Sequence, residues 1–273
     1  MSIEEHISFS AIIITFNESS RLENSLKSFS KCKELIVYDM GSTDSSIDIA
    51  EQYATEVRHI SRVEFVEKAW KNVIKQAKND WIILLDPDEV FPAEIFPELE
   101  HLIYQQLNIA LVSIPWKYYF LGKPLNSTHW GQDHFKARVF NRKNVEISGL
   151  IFDGIKLKAG YEMYTFPYSS GYVIRHYWID SLPQLFKKHW RYIKHDGEAR
   201  FKKGQRYSIR RQFKDAYKTL RKDLVDYKGL KDGVRGIFLS FFHAWFIWMC
   251  HLSLGYYQFF KARKLGDEQH TNT

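Results

Sequence analysis

Cysteine is nearly absent from this sequence. Cys32 and Cys250 stand far apart in unlike settings, and no CxxC pair occurs. That argues against a disulfide framework or a cysteine-ligated zinc site and favours a reducing cytosol. Residues Met1 to Ser8 include acidic Glu4 and Glu5 and no long apolar run, so no signal peptide is expected there. Internal repeats and low-complexity tracts are missing as well. His129, His134, His189, His195, His243 and His251 have no metal-ligand spacing.

What is present is the composition of a folded protein. The chain has 273 residues, 45% apolar and 26% charged, enough to bury a full core and too apolar for general disorder. A net charge of +7 favours anionic partners: a nucleotide, lipid phosphate or nucleic acid. The first half alternates strand-like and helix-like runs. Phe9 to Thr15 reads as a buried strand, and Glu18 to Phe29 as a helix. Glu34 to Asp39 is a second strand, ended by the turn Gly41-Ser42-Thr43-Asp44, where Asp44 can cap the next helix. Val57 to Ile60, a helix over Phe65 to Ala77, and the strand Trp81 to Leu85 follow. This order implies an α/β fold with a mostly parallel sheet flanked by helices, and ligands in such sheets bind beyond the carboxyl ends of the strands. After a helix from Pro92 to about Gln106, Ala110 to Asn141 reads as antiparallel hairpins and Gly171 to Trp178 as a last strand. From Ser181 onward the pattern is helical.

The sharpest feature is Asp86-Pro87-Asp88-Glu89 at the end of a buried strand. Three crowded carboxylates repel and raise one another's pKa unless a cation compensates them. Carboxylate and water oxygens are what Mg²⁺ or Mn²⁺ prefers, and such an ion would neutralise a departing diphosphate. A strand-end turn whose carboxylates cap the next helix also accounts for these residues.

Further motifs accompany the acidic one: Thr15-Phe16-Asn17-Glu18 ends the first strand, Asp39-Met40-Gly41-Ser42-Thr43-Asp44 ends the second, and Lys71-Asn72 precedes Asp86. With these four motifs in register, the chain resembles family 2 glycosyltransferases of the GT-A fold, Rossmann-like and nearest the branch of lipopolysaccharide-core glucosyltransferases. The resemblance covers residues 8 to 155 well and the tail loosely. It implies Asp88 as the main metal ligand, with Asp86 holding the ribose or metal-bound water. It also implies Thr15, Asn17, Glu18 and Asp39 around the nucleoside, and Lys71 and Asn72 near the diphosphate or the strand ends. For Asn17 and Asp44 a turn or cap role stands beside the functional one. Met40 departs from the family, which has a small or acidic residue there. Inverting transfer needs a general base. Arg138-Val139-Phe140-Asn141-Arg142 matches a family stretch, but the later Val-His-Glu appears as Ile151-Phe152-Asp153. Asp153 is the first candidate base and Asp133 the second. His176 aligns with a family histidine that can be a further metal ligand, and a structural role for it stays open.

From Lys187 to Lys222 basic residues far outnumber the three acidic ones, Asp196, Glu198 and Asp215, around amphipathic helices. Ile209, Phe213, Tyr217, Leu220 and Leu224 form an apolar stripe. Such a face suits an anionic membrane surface, or is simply solvated; no nucleic-acid motif accompanies it. Gly236 to Phe260 contains no Asp, Glu, Lys or Arg and exceeds the roughly 20 residues of a bilayer span. Mid-run Trp245 and Trp248 favour an interfacial helix or hairpin over a packed helix or a span.

The expected division is a GT-A domain over 1–178 and a basic, aromatic helical extension over 179–273. The expected reaction is transfer of a hexose from a nucleotide-sugar donor, a UDP-sugar by resemblance, to a lipid-linked or lipopolysaccharide glycan. It would take place in the cytoplasm, peripheral to the inner face of the cell membrane. The rivals are a polyprenyl-phosphate glycosyltransferase and a non-catalytic GT-A-like scaffold. A sugar nucleotidyltransferase would carry a glycine-rich phosphate loop where Thr15-Phe16-Asn17-Glu18 stands.

Overall fold

The computed structural model describes residues 7–147 and 154–261. Its first part runs β1 (Phe9–Thr15), α1 (Ser19–Lys27), β2 (Glu34–Asp39), α2 (Ser46–Tyr53), β3 (Glu56–His59), α3 (Glu67–Lys75) and β4 (Trp81–Leu85). Every residue of β1, β2 and β4 is buried, because both faces of the sheet are covered. Phe9, Ala11 and Ile13 pack with Leu22, Leu26 and Phe29 on one face. Ile12 and Ile14 pack with Trp70, Val73 and Ile74 of α3 on the other. Alternation along one strand thus serves two separate cores.

Next come β5 (Glu89–Val90), α4 (Phe96–Gln105), β6 (Ile109–Phe120), β7 (Lys123–Pro124), β8 (His134–Asn141), β9 (Val145–Ile147), β10 (Ile155–Leu157), β11 (Glu162–Thr165) and β12 (Ile174–Ile179). The main sheet has the order β3-β2-β1-β4-β8-β6-β12-β5. It is parallel over β3-β2-β1-β4. Beyond that, β8 is antiparallel to β4 and to β6, and β12 is antiparallel to β5. The α/β class and the carboxyl-edge geometry expected of the sequence are both present. Short β5 was not legible, since two residues after a turn carry no period.

The chain divides into two compact units, Met1–Lys117 with Asp133–Tyr177, and Tyr118–Gln132 with Trp178–Thr273. The sequence division at 178/179 left 118–132 with the first unit; packing puts it in the second. Phe120, Leu125 and Trp130 share a core with Trp178, Ile179, Leu185, Leu239 and Phe242. Trp130 stacks on Trp178 at 4.8 Å between ring centroids.

The second unit is built on α5 (Leu182–Lys202), α6 (Ile209–Arg221) and α7 (Val234–Tyr256). Ser181 starts α5, its Oγ accepting from the Gln184 amide at 3.4 Å. Gly197 lets α5 approach α7: a Cβ there would lie 2.3 Å from the Ser253 carbonyl oxygen. Gly197→Val is therefore expected to lower the stability of this unit by about 1–3 kcal/mol, the usual cost of overpacking. Denaturant unfolding followed by tryptophan fluorescence checks this, and an unchanged midpoint would refute the close approach.

Candidate active site

The parallel strands β1, β2 and β4 end at Thr15, Asp39 and Leu85, so three of the four sequence motifs collect along one edge. Two loops there are tied together. The buried Asp39 carboxylate accepts from the Gly41 amide at 2.8 Å and the Ser42 amide at 3.0 Å, and Gly41 takes φ +83° to close the turn. His59 Nδ1 stands 3.4 Å from Asp39 Oδ2. Asn17, itself left-handed at φ 54°, accepts the Thr43 amide on Oδ1 at 2.7 Å, and its own amide donates to Ser42 Oγ at 2.9 Å. The Glu18 amide donates to Ser46 Oγ at 2.9 Å. Beneath them the Thr15 Oγ1 atom is buried without a hydrogen-bond partner.

Asp44 joins two helix starts. Its Oδ2 accepts the Ser19 amide at 3.1 Å, and its Oδ1 accepts the Ser46 amide at 3.0 Å and the Ser46 hydroxyl at 2.5 Å. Burial pushes its carboxyl up, but the bonds from Ser46 and Ser19 outweigh that and hold it at about 2. Asp44 is not itself the N-cap of either helix, a place held by Glu18 and Ser45, but it satisfies the first amide of both. Because the folded value lies below the ordinary one, the bonds stabilise above about pH 4 and that contribution fades as pH falls towards 2. Asp44→Ala is expected to cost about 1 kcal/mol at pH 7 and to flatten the acid limb of stability against pH. Urea unfolding between pH 7 and pH 2 tests this, and an acid limb unchanged from wild type would refute it.

The acidic cluster follows β4. Glu89 is wholly buried; its Oε2 accepts the Asp86 amide at 3.1 Å and its Oε1 accepts Lys136 Nζ. Lys136 Nζ also donates to Asp86 Oδ2 at 2.8 Å. Asp88 Oδ2 accepts Arg21 Nη1 at 3.3 Å and lies 3.2 Å from His176 Nε2. The pairing His176↔Glu89 between β12 and β5 sets this approach, with the Tyr177 amide donating to the Asp88 carbonyl at 2.8 Å. Trp116 backs both partners, its ring stacked on His176 at 4.7 Å and under Lys136 Nζ at 5.0 Å.

Burial opposes the charge on Asp86, yet the Lys136 ammonium holds its carboxyl below the usual range. Burial raises Glu89 despite the same ammonium. Lys136 in turn is held above its ordinary value by the two carboxylates, against burial. The chain's own cations thus meet part of the charge that the sequence argument assigned to a metal ion, so carboxylate crowding alone does not require one. The donor set still fits an ion. Asp88 Oδ2 and His176 Nε2 are spaced as neighbouring ligands of one cation, since two ligands about 2.1 Å from an octahedral ion lie about 3 Å apart. Among the described residues no group of three or more His, Cys, Asp or Glu side chains could hold a metal. The protein would then supply two ligands, and diphosphate and water the rest. Asp86 is turned to Lys136 instead.

Other candidates lie elsewhere. Lys71 and Asn72 are exposed on α3. Lys71 does not join the carboxylates but lines a basic cavity of about 850 Å³ with Lys75, Arg142, Lys143, Lys156 and Lys158. Arg142 caps the end of α3, donating to the Ile74 and Lys75 carbonyls at 3.3 Å each, and to the Ala77 carbonyl just beyond it at 2.6 Å. Arg138 stacks on Trp70. Asp133 is exposed just before β8, and its charge raises the Tyr168 hydroxyl, after burial the next largest upward influence. Asp153 lies outside the described residues. Sequence reasoning missed Arg21 and Lys136; only the β4–β8 register, Trp81↔Asn141, could have placed Lys136 near Asp86.

The carboxylates, histidine and two cations thus gather near the carboxyl ends of β1, β2 and β4, where ligands of open α/β sheets bind. The family is specific: glycosyl transferase family 2 matches residues 10–159, more than half the chain, and this protein belongs to it. An uncharacterized glycosyltransferase of Rickettsia bellii is 35% identical over 105 residues, 36% of this chain and 33% of its own. The lipopolysaccharide core biosynthesis glycosyltransferase LpsC of Rhizobium meliloti is 28% identical over 100 residues, 33% of this chain and 36% of its own. The match thus spans about a third of the length of these relatives. Among solved structures, S. aureus TarS 1-349 in complex with UDP-GlcNAc is 22% identical, with a TM-score of 0.38 over 41% of this chain and 35% of that one. Glucosyl-3-phosphoglycerate synthase of Mycobacterium tuberculosis with Mn²⁺ and UDP-glucose is 22% identical, with a TM-score of 0.36 over 41% of this chain and 44% of that one.

Proposed function

We propose that this protein is an inverting, cation-dependent glycosyltransferase that moves a hexose from a UDP-sugar to a lipid-linked or lipopolysaccharide glycan at the cytoplasmic face of an anionic membrane. The observation that carries the reading is the approach of Asp88 Oδ2 and His176 Nε2, 3.2 Å apart, beside Asp86 at the end of β4. In the reaction an acceptor hydroxyl oxygen bonds to the anomeric carbon while the bond from that carbon to the diphosphate breaks, its electron pair leaving with the phosphate oxygen. A carboxylate takes the hydroxyl proton, Asp153 first and Asp133 second. Mg²⁺ or Mn²⁺, held by Asp88 and His176, would neutralise the leaving diphosphate. Lys136 and Arg21 fix the two aspartates, and Trp116 fixes the plane of the imidazole. Thr15, with its unpartnered hydroxyl, and Asn17, Glu18 and Asp39 would line the nucleoside end. The Asp39 carboxylate keeps its turn amides and offers its remaining lone pairs.

The apolar α7 favours polyprenyl phosphate as a second acceptor class, and an assay with that lipid separates the two. The test of the donor site is calorimetric binding of UDP, with GDP as control, with and without Mn²⁺. Absence of binding to either nucleotide would move the non-catalytic scaffold to the front.

A further inference from the structure

The polarity of α6 is reversed. Its interior face carries Gln212, 0% exposed, while Phe213 and Tyr217 are 58% and 69% exposed; the helical turn that follows at Lys222–Asp226 carries Asp223, 1% exposed. A helix of a water-soluble unit turns its apolar stripe to the core. Here the core side is polar. Gln212 Nε2 donates to the Trp248 carbonyl at 3.3 Å, and Gln212 Oε1 accepts the Tyr207 hydroxyl at 2.8 Å. Asp215 pairs with His251 at 3.0 Å, and Asp223 with His243 at 2.7 Å. Asp223 also accepts the His129 amide at 2.9 Å. The bonds of Gln212 and Asp215 hold α6 on α7, those of Asp223 hold the turn after it, and together they leave Ile209, Phe213 and Tyr217 facing outward.

The outward stripe does not stop at α6. Phe213 meets Trp248 edge-on at 4.6 Å, and along α7 the residues at helical spacing from Trp248, Phe241 and Leu252, are exposed as well. Two helices therefore share one apolar face, and its flank is charged. Arg210, Lys214 and Arg221 follow the α6 stripe at helical spacing, all exposed. The only acid on α6, Asp215, is taken by His251.

We infer that the joined outward faces of α6 and α7 form a docking surface that lies in the plane of an anionic lipid bilayer, with Phe213, Tyr217 and Trp248 among the acyl chains and Arg210, Lys214 and Arg221 at the phosphates. The charge pattern selects this occupant. A second copy of the chain would set one basic flank against another, and a neutral apolar partner would leave that flank unmatched. The reversed polarity gives the inward histidines and aspartates a purpose: they keep the unit folded without using the residues that dock. α7 is long and apolar enough for a span over Val234–Phe260, with one third of its most apolar window buried. The inward pairs of His243 and His251 instead keep one side of it on protein. This deepens the location stated in the proposed function and does not depend on the donor site.

The test is co-sedimentation of the full chain with unilamellar vesicles of phosphatidylcholine, with and without phosphatidylglycerol, in the absence of sugar nucleotide. Binding is expected to require phosphatidylglycerol and to be released by high salt. Arg210→Gln with Lys214→Gln should weaken it about fivefold per residue. Phe213→Ser with Tyr217→Ser should weaken it at least as much, while both variants keep the thermal midpoint of wild type. Equal binding to neutral vesicles, or none to either, overturns the proposal. So does retention after salt and carbonate, which would mean a span. A dimer in solution that the Phe213→Ser, Tyr217→Ser variant dissolves would assign the face to a second copy and overturn it too. UDP binding measured on the same preparation keeps a failure here distinct from a failure of the donor site.

Discussion

Replacing Lys136 with Met is expected to destabilise the fold by about 3–5 kcal/mol at pH 7, the range found when one partner of a buried ion pair is removed. The size follows from which carboxylate is stranded. The Asp86 side chain is 44% exposed and can take up water when the ammonium is gone. The Glu89 side chain is 0% exposed and cannot. Burial already raises its carboxyl, and Lys136 is the largest influence opposing that rise. Without Lys136 the folded-state pKa climbs further above the unfolded value of about 4.3. A raised carboxyl pKa stabilises fully below the unfolded value and costs stability as pH rises through the folded one. The deficit of Lys136→Met should therefore shrink as pH is lowered from 7 towards 4, opposite to ordinary acid denaturation. Adding Glu89→Gln removes the stranded charge, keeps an oxygen for the Asp86 amide, and should restore most of the loss. Urea unfolding of the three proteins across that range decides it. A single variant within 1 kcal/mol of wild type and flat with pH would mean that Lys136 does not hold the cluster.

That lysine also marks the limit of what the sequence disclosed. The strands over 9–15, 34–39 and 81–85 were legible because runs of β-branched and leucine residues bounded by turn residues permit few other readings. The carboxylates were legible because four residues of local sequence contain them all. Their partners were not, since Lys136 lies 50 residues from Asp86 and Arg21 lies 67 from Asp88. Only sheet register and the packing of α1 bring them together. Residues 118–132 read as more of the same aromatic hairpin, and tertiary packing of Trp130 on Trp178 assigns them elsewhere. The stripe of α6 was visible as a period, but a period says that two faces differ and not which one meets the protein. The polar residues Gln212, Asp215 and Asp223 decided that, through partners on α7 between 20 and 36 residues away.

The second large effect is expected at Asp88. With Mn²⁺ present, UDP should bind the wild type far more tightly than without it, because the cation offsets charge on both the carboxylate and the diphosphate. On the proposed reading, Asp88→Ala removes one of two protein ligands and should cut that metal-dependent gain by about a hundredfold or more, the scale seen when one aligned electrostatic partner is lost. The variant also removes one partner of Arg21, whose guanidinium donates to Asp88 at 3.3 Å and to the Tyr177 carbonyl at 3.1 Å. A phosphate could then bind that guanidinium directly. The diagnostic quantity is therefore the ratio of Kd without metal to Kd with metal, not the absolute Kd. In Asp88→Ala that ratio should fall to near one even if weak binding persists. His176→Ala should lower it only in part, since the carboxylate remains, and Asp88→Asn should resemble Asp88→Ala, because an amide accepts from Arg21 but brings no charge to a cation. Asp86→Asn should lower it least, as Lys136 already engages that oxygen. Calorimetry over these four variants orders the residues by role. A ratio that stays high in Asp88→Ala would place the cation elsewhere, and equal losses at Asp86 and Asp88 would mean that both bind it and that Lys136 moves aside when it arrives.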